Sequence, residues 1–200
     1  LYFRYGTMGC AKTLHIITVA YNYELQNKSV ILLAPAFDSR FGVGNLTSRA
    51  GLSRKADHLL NEETDLVGLS ENWQHISCIL VDEVHFLPES VIDQLRHIAT
   101  YKNIPVICYG LRSSYRNNLF PGSKRLFELA DNLEELKATC QYCNRKASTH
   151  IKLDALHDHQ SPDIVLGDDV YRAVCFHCYF DRLPTAAKAL LHEKDYQHSE

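Results

Sequence analysis

Up to Gly110, short apolar runs alternate with stretches whose apolar residues recur at helical spacing. Leu1–Tyr5 reads as a strand that runs into a glycine-containing loop, and Thr13–Gln26 reads as the helix that follows. Val30–Pro35 and Ser77–Val81 are β-branched and leucine-rich, with the length and texture of buried strands. In Pro88–Tyr101, residues Val91, Ile92, Leu95, Ile98 and Ala99 fall on one helix face, and Ile104–Gly110 is again a short buried strand. Strand and helix in repeated alternation predict an α/β fold, a parallel sheet with helices on both faces. Such a sheet binds ligands beyond the carboxyl ends of its strands. The glycine loop and Asp82-Glu83 both fall there.

Two polar stretches break this pattern. Phe37–Ala56, with Gly42, Gly44, Gly51, Arg40, Arg49 and Arg54, and Arg112–Ser123 both lack periodicity. In an α/β domain such segments are expected as loops or lids over a site. From about Asn132 the texture changes to short strands separated by cysteine pairs and a polar loop, His157–Asp163. Thr185–Glu200 reads as a polar helix or tail, and no internal repeat or low-complexity segment is present.

The composition, 46% hydrophobic and 22% charged, is that of a globular protein with an apolar core. A net charge of −3 supplies no basic field for nucleic acid or an anionic membrane, so neither is expected as a partner. No apolar run reaches the roughly 18 residues that span a bilayer. Leu1-Tyr2-Phe3-Arg4-Tyr5 is too short and polar for a signal peptide, and a start on Leu rather than Met suggests missing leading residues. The expected location is the cytoplasm, where seven cysteines argue against a disulfide framework. Cys10, Cys78 and Cys108 are scattered as packing residues are, whereas Cys140, Cys143, Cys175 and Cys178 form two C-x-x-C pairs.

Three constellations carry chemistry. Gly6-Thr7-Met8-Gly9-Cys10-Ala11-Lys12-Thr13 matches the phosphate loop G-x-x-x-x-G-K-[ST] except that Ala11 replaces the second glycine. In that reading the loop N–H groups and the helix terminus attract phosphate, Lys12 neutralises the β/γ oxygens and the Thr13 hydroxyl ligates Mg²⁺. The bland alternative is a chance Gly–Lys–Thr turn. If Ala11 must adopt positive φ, its Cβ costs about 1–2 kcal/mol. Ile79-Leu80-Val81-Asp82-Glu83 is an apolar strand ending in two carboxylates, either a solvated acidic turn or a metal-holding residue beside a general base. Two x₂-spaced thiolate pairs can close one tetrahedral Zn²⁺ site, with His177 the substitute for Cys178. Four thiolates leave no open position, so such a zinc is structural; free thiols or a redox pair are the alternatives. Most of the eleven histidines, His150 among them, have no partner in sequence; His85, two residues past Glu83, lies near the presumed phosphates.

These elements in this order resemble the zinc-containing, type II thymidine kinases, with the bacterial branch the nearer. The resemblance covers nearly the whole chain. It rests on Tyr5-Gly6-Thr7-Met8, Asp38-Ser39-Arg40-Phe41-Gly42, Val81-Asp82-Glu83-Val84-His85-Phe86-Leu87 and Tyr109-Gly110-Leu111-Arg112-Ser113-Ser114-Tyr115-Arg116. Gly122-Ser123, Leu136-Lys137-Ala138-Thr139-Cys140, and Tyr171 with Val174-Cys175 also match. The resemblance implies ATP-dependent phosphorylation of thymidine, with Glu83 as catalytic base toward the 5′-hydroxyl. ATP and its Mg²⁺ would be held by residues 6–13 with Asp38, Arg40, Asp82, Val84 and His85. Met8, Phe86, Leu111, Tyr115 and Phe120 would wall the thymine pocket, and a lasso over about residues 154–170 would close on the base. Backbone groups of Ile164, Val165, Leu166 and Gly167 would bond thymine there, with Tyr171 over the sugar. The resemblance also implies a homotetramer and feedback by thymidine triphosphate.

The expected organisation is a phosphate-loop kinase domain over 1–135, a zinc-binding lasso domain over 136–183 and a polar tail over 184–200. Ala11, Leu166 in place of a lasso glycine and His85 in place of a polar residue depart from the family pattern. The first two motivate an alternative, a catalytically weakened nucleotide- or nucleoside-binding homologue. A third reading, an ATPase with a nucleic-acid-binding zinc ribbon, conflicts with the acidic residues Asp154, Asp158, Asp163, Asp168 and Asp169 among the basic ones.

Overall fold

A β-strand sends successive side chains to opposite faces, and here that alternation builds two cores from the same strands. The computed structural model describes residues 1–36, 44–153 and 170–182. Its first strand, β1 (Tyr2–Gly6), is followed by helix α1 (Lys12–Glu24) and strand β2 (Ser29–Pro35). A small antiparallel hairpin, β3 (Asn45–Thr47) with β4 (Ser53–Lys55), precedes strand β5 (His58–Leu60) and the one-turn helix α2 (Leu66–Leu69). Strand β6 (Ile76–Val81), helix α3 (Glu89–Tyr101), strand β7 (Val106–Leu111), helix α4 (Pro121–Leu129) and strand β8 (Asn132–Leu136) complete the main body.

Six of these strands form one sheet in the order β5-β2-β6-β7-β1-β8, and every pairing in it is parallel. On one face Phe3, Leu33, Ile79, Val81, Val106 and Cys108 pack with Val91, Ile92, Leu95 and Ile98 of α3 and Leu126 of α4. On the other, Leu32, Leu80 and Tyr109 pack with Ile16 and Ala20 of α1, with Leu46 of the hairpin and with Ala56 just after it. Because all strands run the same way, the residues following β1, β6 and β7 emerge at one edge. The phosphate-type loop, Asp82-Glu83 and Arg112 therefore share that edge, with β7 between the first two.

The remaining elements form a small module. Thr139 bridges Lys146 across a tight turn in which the Cys140 N–H donates to the Arg145 carbonyl at 2.8 Å. Strands β9 (Thr149–Lys152) and β10 (Tyr171–Val174) pair antiparallel, and helix α5 (Phe176–Arg182) follows Cys175 directly. Ile151 and Val174 pack with Cys140, Cys175 and Cys178 in a third, separate apolar cluster.

The expected α/β architecture with a parallel sheet is the one observed, and the long helices and central strands lie within a residue or two of their predicted bounds. The short pieces differ. The polar stretch 37–56 contains the β3–β4 hairpin, and the stretch 112–123 ends inside α4, which begins at Pro121. Asn132–Leu136 had the texture of the cysteine-bearing region, yet it is the sixth strand of the main sheet, paired with β1. It is an edge strand with Asn132, Leu133 and Glu134 exposed, so it carries no apolar run to announce it. The predicted lasso at 154–170, apart from Val170, and the tail at 184–200 lie outside the described residues.

Candidate active site

Residues 6–13 join β1 to α1 in the strand–loop–helix setting that a phosphate loop requires. Two of them take left-handed backbone, Gly9 with φ 76° and Ala11 with φ 62°. Glycine occupies the first without cost. At the second the Cβ of Ala11 is strained by about 1–2 kcal/mol. Ala11 is also the N-cap of α1 and no side chain caps that end, so the positive pole of the helix faces the loop. The Lys12 ammonium folds back over the loop, donates to the Thr7 carbonyl at 2.9 Å and lies 3.8 Å from Cys10 Sγ. The Thr7 hydroxyl is buried without a hydrogen-bond partner among the described residues. A loop rich in N–H donors at the head of a helix is suited to take an anion.

Across β7, the end of β6 supplies the opposing charge. Asp82 is 3% exposed; it accepts from the Thr13 hydroxyl at 3.3 Å and from the Glu83 N–H at 2.9 Å. Burial, and then the charge of Glu83, push its carboxyl up to about 7, against the pull of the Glu83 N–H, Lys12 and Thr13. The acidic turn is thus not solvated at Asp82. Glu83 is itself left-handed, φ 45° and ψ 35°, a conformation that costs a non-glycine residue about 1–2 kcal/mol. Strain held at a carboxylate beside a buried one is an observation that points to function.

His85 is 1% exposed and ties the ends of two strands together. Its Nδ1 accepts the Leu111 N–H at 3.2 Å and lies 3.5 Å from Glu83 Oε2. Its ring packs on Phe86 (centroids 3.9 Å apart) and edge-on to Phe120 (4.7 Å). Gly122 permits that approach: a Cβ there would sit 2.4 Å from the Val84 carbonyl. Ser123 then donates to the Leu111 carbonyl at 2.5 Å, fixing the start of α4 and hence Phe120. A second aromatic group joins the module to the main body. Tyr115 and Tyr171 have centroids 6.2 Å apart, the Lys152 ammonium lies 5.5 Å from the Tyr115 ring, and the Tyr179 hydroxyl donates to the Tyr115 carbonyl at 3.3 Å.

The thiols of Cys140, Cys143, Cys175 and Cys178 converge, all four sulfurs lying within 4.8 Å of one another. Cys143 Sγ is 3.6 Å from Cys175 Sγ and 3.7 Å from Cys178 Sγ. Four sulfurs at about 2.3 Å from a tetrahedral Zn²⁺ would be about 3.8 Å apart, so the donor set fits. Its electrostatics point the same way. Burial opposes ionisation of Cys140, but backbone N–H groups of Cys175, Tyr142 and Cys143 bring it down to about 6. Burial and the neighbouring thiols push Cys178 up to about 12. The Cys178 N–H lowers Cys175 as well, whereas Cys178 is raised, so ionising all four needs a cation. His177 points instead to Asp181, at 3.2 Å, and is not in the cluster. The other cysteines pack: Cys78 and Cys108 are wholly buried in the sheet, and burial raises both thiols.

Met8 and Leu111 are half-buried in the same edge region. Val84 is wholly buried in the core, so only its backbone can serve a nucleotide. Asp38, Arg40, Ile164, Val165, Leu166 and Gly167 lie outside the described residues. Two residues near the loop were not singled out from sequence. Arg49, on the turn between β3 and β4, brings Nη1 within 3.5 Å of the Cβ position of Gly9. His150, on β9, accepts the Met8 N–H on Nε2 at 2.9 Å. Neither sits in a local motif; both are brought in by tertiary folding.

A loop at the head of a helix, facing a buried acid across one strand of a parallel sheet, is the arrangement of phosphate-loop proteins that handle nucleotides. Within that class the family model described as "Thymidine kinase" matches residues 1–179, and the chain belongs to the thymidine kinase family. It is 40% identical over 184 residues to a thymidine kinase of Streptococcus gordonii, covering 90% of this chain and 95% of that one. To a thymidine kinase of Chromobacterium violaceum it is 38% identical over 182 residues, covering 90% and 97%. Among solved structures, a Pif1 helicase from Candida albicans is similar with a TM-score of 0.41 and 13% identity over 68% of this chain and 35% of that chain, too slight a likeness to bear on function.

The strain at Ala11 gives a direct test. Ala11→Gly is expected to raise unfolding free energy by about 1 kcal/mol, because glycine takes positive φ without a Cβ penalty. Denaturant unfolding of the two proteins measures it, and a destabilised glycine variant would contradict the strained geometry.

Proposed function

We propose that this chain transfers the γ-phosphoryl group of ATP to the 5′-hydroxyl of thymidine, yielding ADP and thymidine monophosphate. The observation that carries the reading is buried Asp82 with half-buried Glu83 beside it, facing the Lys12 loop in a chain of the thymidine kinase family. Thr13 and Asp82, with oxygens 3.3 Å apart, are hard donors that fit Mg²⁺. Bound with ATP, Mg²⁺ supplies charge neutralisation on the phosphate oxygens. Lys12, the loop N–H groups and the start of α1 hold those oxygens. Glu83 accepts the proton of the attacking 5′-hydroxyl, whose oxygen bonds to the γ-phosphorus as the bond to the β,γ-bridging oxygen breaks.

Met8, Phe86, Leu111, Tyr115 and Phe120 would form the walls around thymine. The segment carrying Ile164, Val165, Leu166 and Gly167 would supply backbone hydrogen bonds to the base, with Tyr171 over the sugar. Asp38 and Arg40 would lie near the transferred group. In this reading 1–135 is the kinase domain, 136–183 the zinc-bearing lasso domain and 184–200 the tail. The assembly is a homotetramer of the cytoplasm, and thymidine triphosphate inhibits by occupying the acceptor site. The left-handed Ala11 is what favours a weakened homologue instead. The strain of about 1–2 kcal/mol is already present in the loop without nucleotide, so it weighs on the stability of the fold rather than on nucleotide affinity, and it removes no reacting group.

Glu83→Gln is expected to lower kcat by about 10²–10⁴-fold, the range of general-base catalysis, while thymidine binding measured by calorimetry persists. Near wild-type kcat in that variant would remove Glu83 from the reaction. Metal analysis is expected to find about one zinc per chain, and Cys143→Ser to lose it with a lower melting temperature. A metal-free wild type of unchanged stability would contradict the zinc assignment.

A further inference from the structure

Among the described residues, a buried side chain of the four-cysteine module, His150, bonds to the phosphate-type loop. β9 alternates: Ile151 faces the cysteine cluster with Val174, so its neighbours His150 and Lys152 face the main body. His150 is 3% exposed, and its Nε2 accepts the backbone N–H of Met8 at 2.9 Å. On the module side, the Ser148 N–H donates to the Val174 carbonyl at 2.8 Å, and Ala173, opposite His150 on β10, accepts the N–H of Gln141, the residue after Cys140, on its own carbonyl. β10 then runs straight into Cys175. An unbroken series of hydrogen bonds and covalent bonds therefore links the cysteine cluster to the loop.

We propose that His150 is a positioning residue that clamps the loop at Met8, so that order in the cysteine module sets the affinity of the loop for ATP. As an acceptor, Nε2 leaves the proton on Nδ1, and the ring must be neutral. Burial comes first among the reasons that it is, followed by the basic neighbours Lys12 from α1, His85 from the turn after β6 and Arg112 after β7, which together push His150 down to about 3. The neutral acceptor therefore holds throughout the ordinary working range of pH. Arg112 adds a second tie, donating from Nη2 to the Ser148 carbonyl at 2.8 Å. That tie holds the strand but does not touch the loop. The inference goes beyond the assignment of the reaction and rests on the reading of residues 6–13 as an ATP loop.

The test compares wild type with His150→Leu, which removes the acceptor, and His150→Gln, whose amide oxygen reaches about as far as Nε2. His150→Leu is expected to weaken ATP·Mg²⁺ binding by about tenfold, as loss of one buried hydrogen bond does. It is also expected to speed amide exchange at Met8 by about tenfold, while His150→Gln stays within about threefold of wild type in both. Chelating the metal from wild-type protein is expected to reproduce the leucine phenotype. A role in folding alone would lower melting temperature and active fraction but leave ATP affinity and the Leu-to-Gln difference unmoved, and that result overturns the proposal. So does unchanged exchange at Met8. Lys12→Ala separates the two readings: persistent ATP binding there means that the loop assignment has failed and the clamp falls with it. Lost binding there with wild-type affinity in His150→Leu means that the clamp alone has failed.

Discussion

The site depends on keeping a carboxylate buried at the end of a strand. Asp82 sits where water cannot solvate its charge, and its neighbour Glu83 makes ionisation harder still. What offsets this is specific: the Glu83 N–H, the Lys12 ammonium and the Thr13 hydroxyl. Lys12 and Thr13 come from the loop, so β1, β6 and the strand between them must hold the two halves in register. β6 and β7 are buried along most of their length and β1 packs through Phe3, while Arg4 at the centre of β1 is held by Tyr109 and Glu134; this gives the sheet the stiffness that the charges need. The left-handed Glu83 and Ala11 are the local costs of bringing the two turns together.

The small module meets the same edge from outside the sheet. Its own apolar cluster is slight, with Ile151, Val174 and three cysteines as its buried members. Among the described residues that cluster gives the hairpin little packing, and the four converging thiols form a donor set that fits a cation and would add a further constraint. The hairpin then presents Tyr171 toward Tyr115 and His150 toward Met8. The Tyr115–Tyr171 pair and the loop at Met8 are thus braced by one element.

How much of this was legible in the sequence follows from the range of each interaction. The central strands and α3 were readable because each is long enough to show its period, as in Val91, Ile92, Leu95 and Ile98. The phosphate loop, the Asp82-Glu83 turn and the cysteine pairs were readable because their chemistry is local in sequence. The three-residue β5, and β8 with its exposed Glu134, have too few buried positions to carry a pattern. His150 and Arg49 were missed for another reason: their partners lie far away along the chain and only the fold brings them together. The strain at Ala11 was foreseen as a condition, and the backbone angle of 62° meets it.

The fate of the γ-phosphoryl group tests the roles of Lys12 and Glu83 most directly. Wild-type protein with its metal, given γ-labelled ATP, Mg²⁺ and thymidine, is predicted to place the label on the 5′ position of thymidine in proportion to the ADP formed. Label released only as inorganic phosphate, or thymidine bound without turnover, would contradict it.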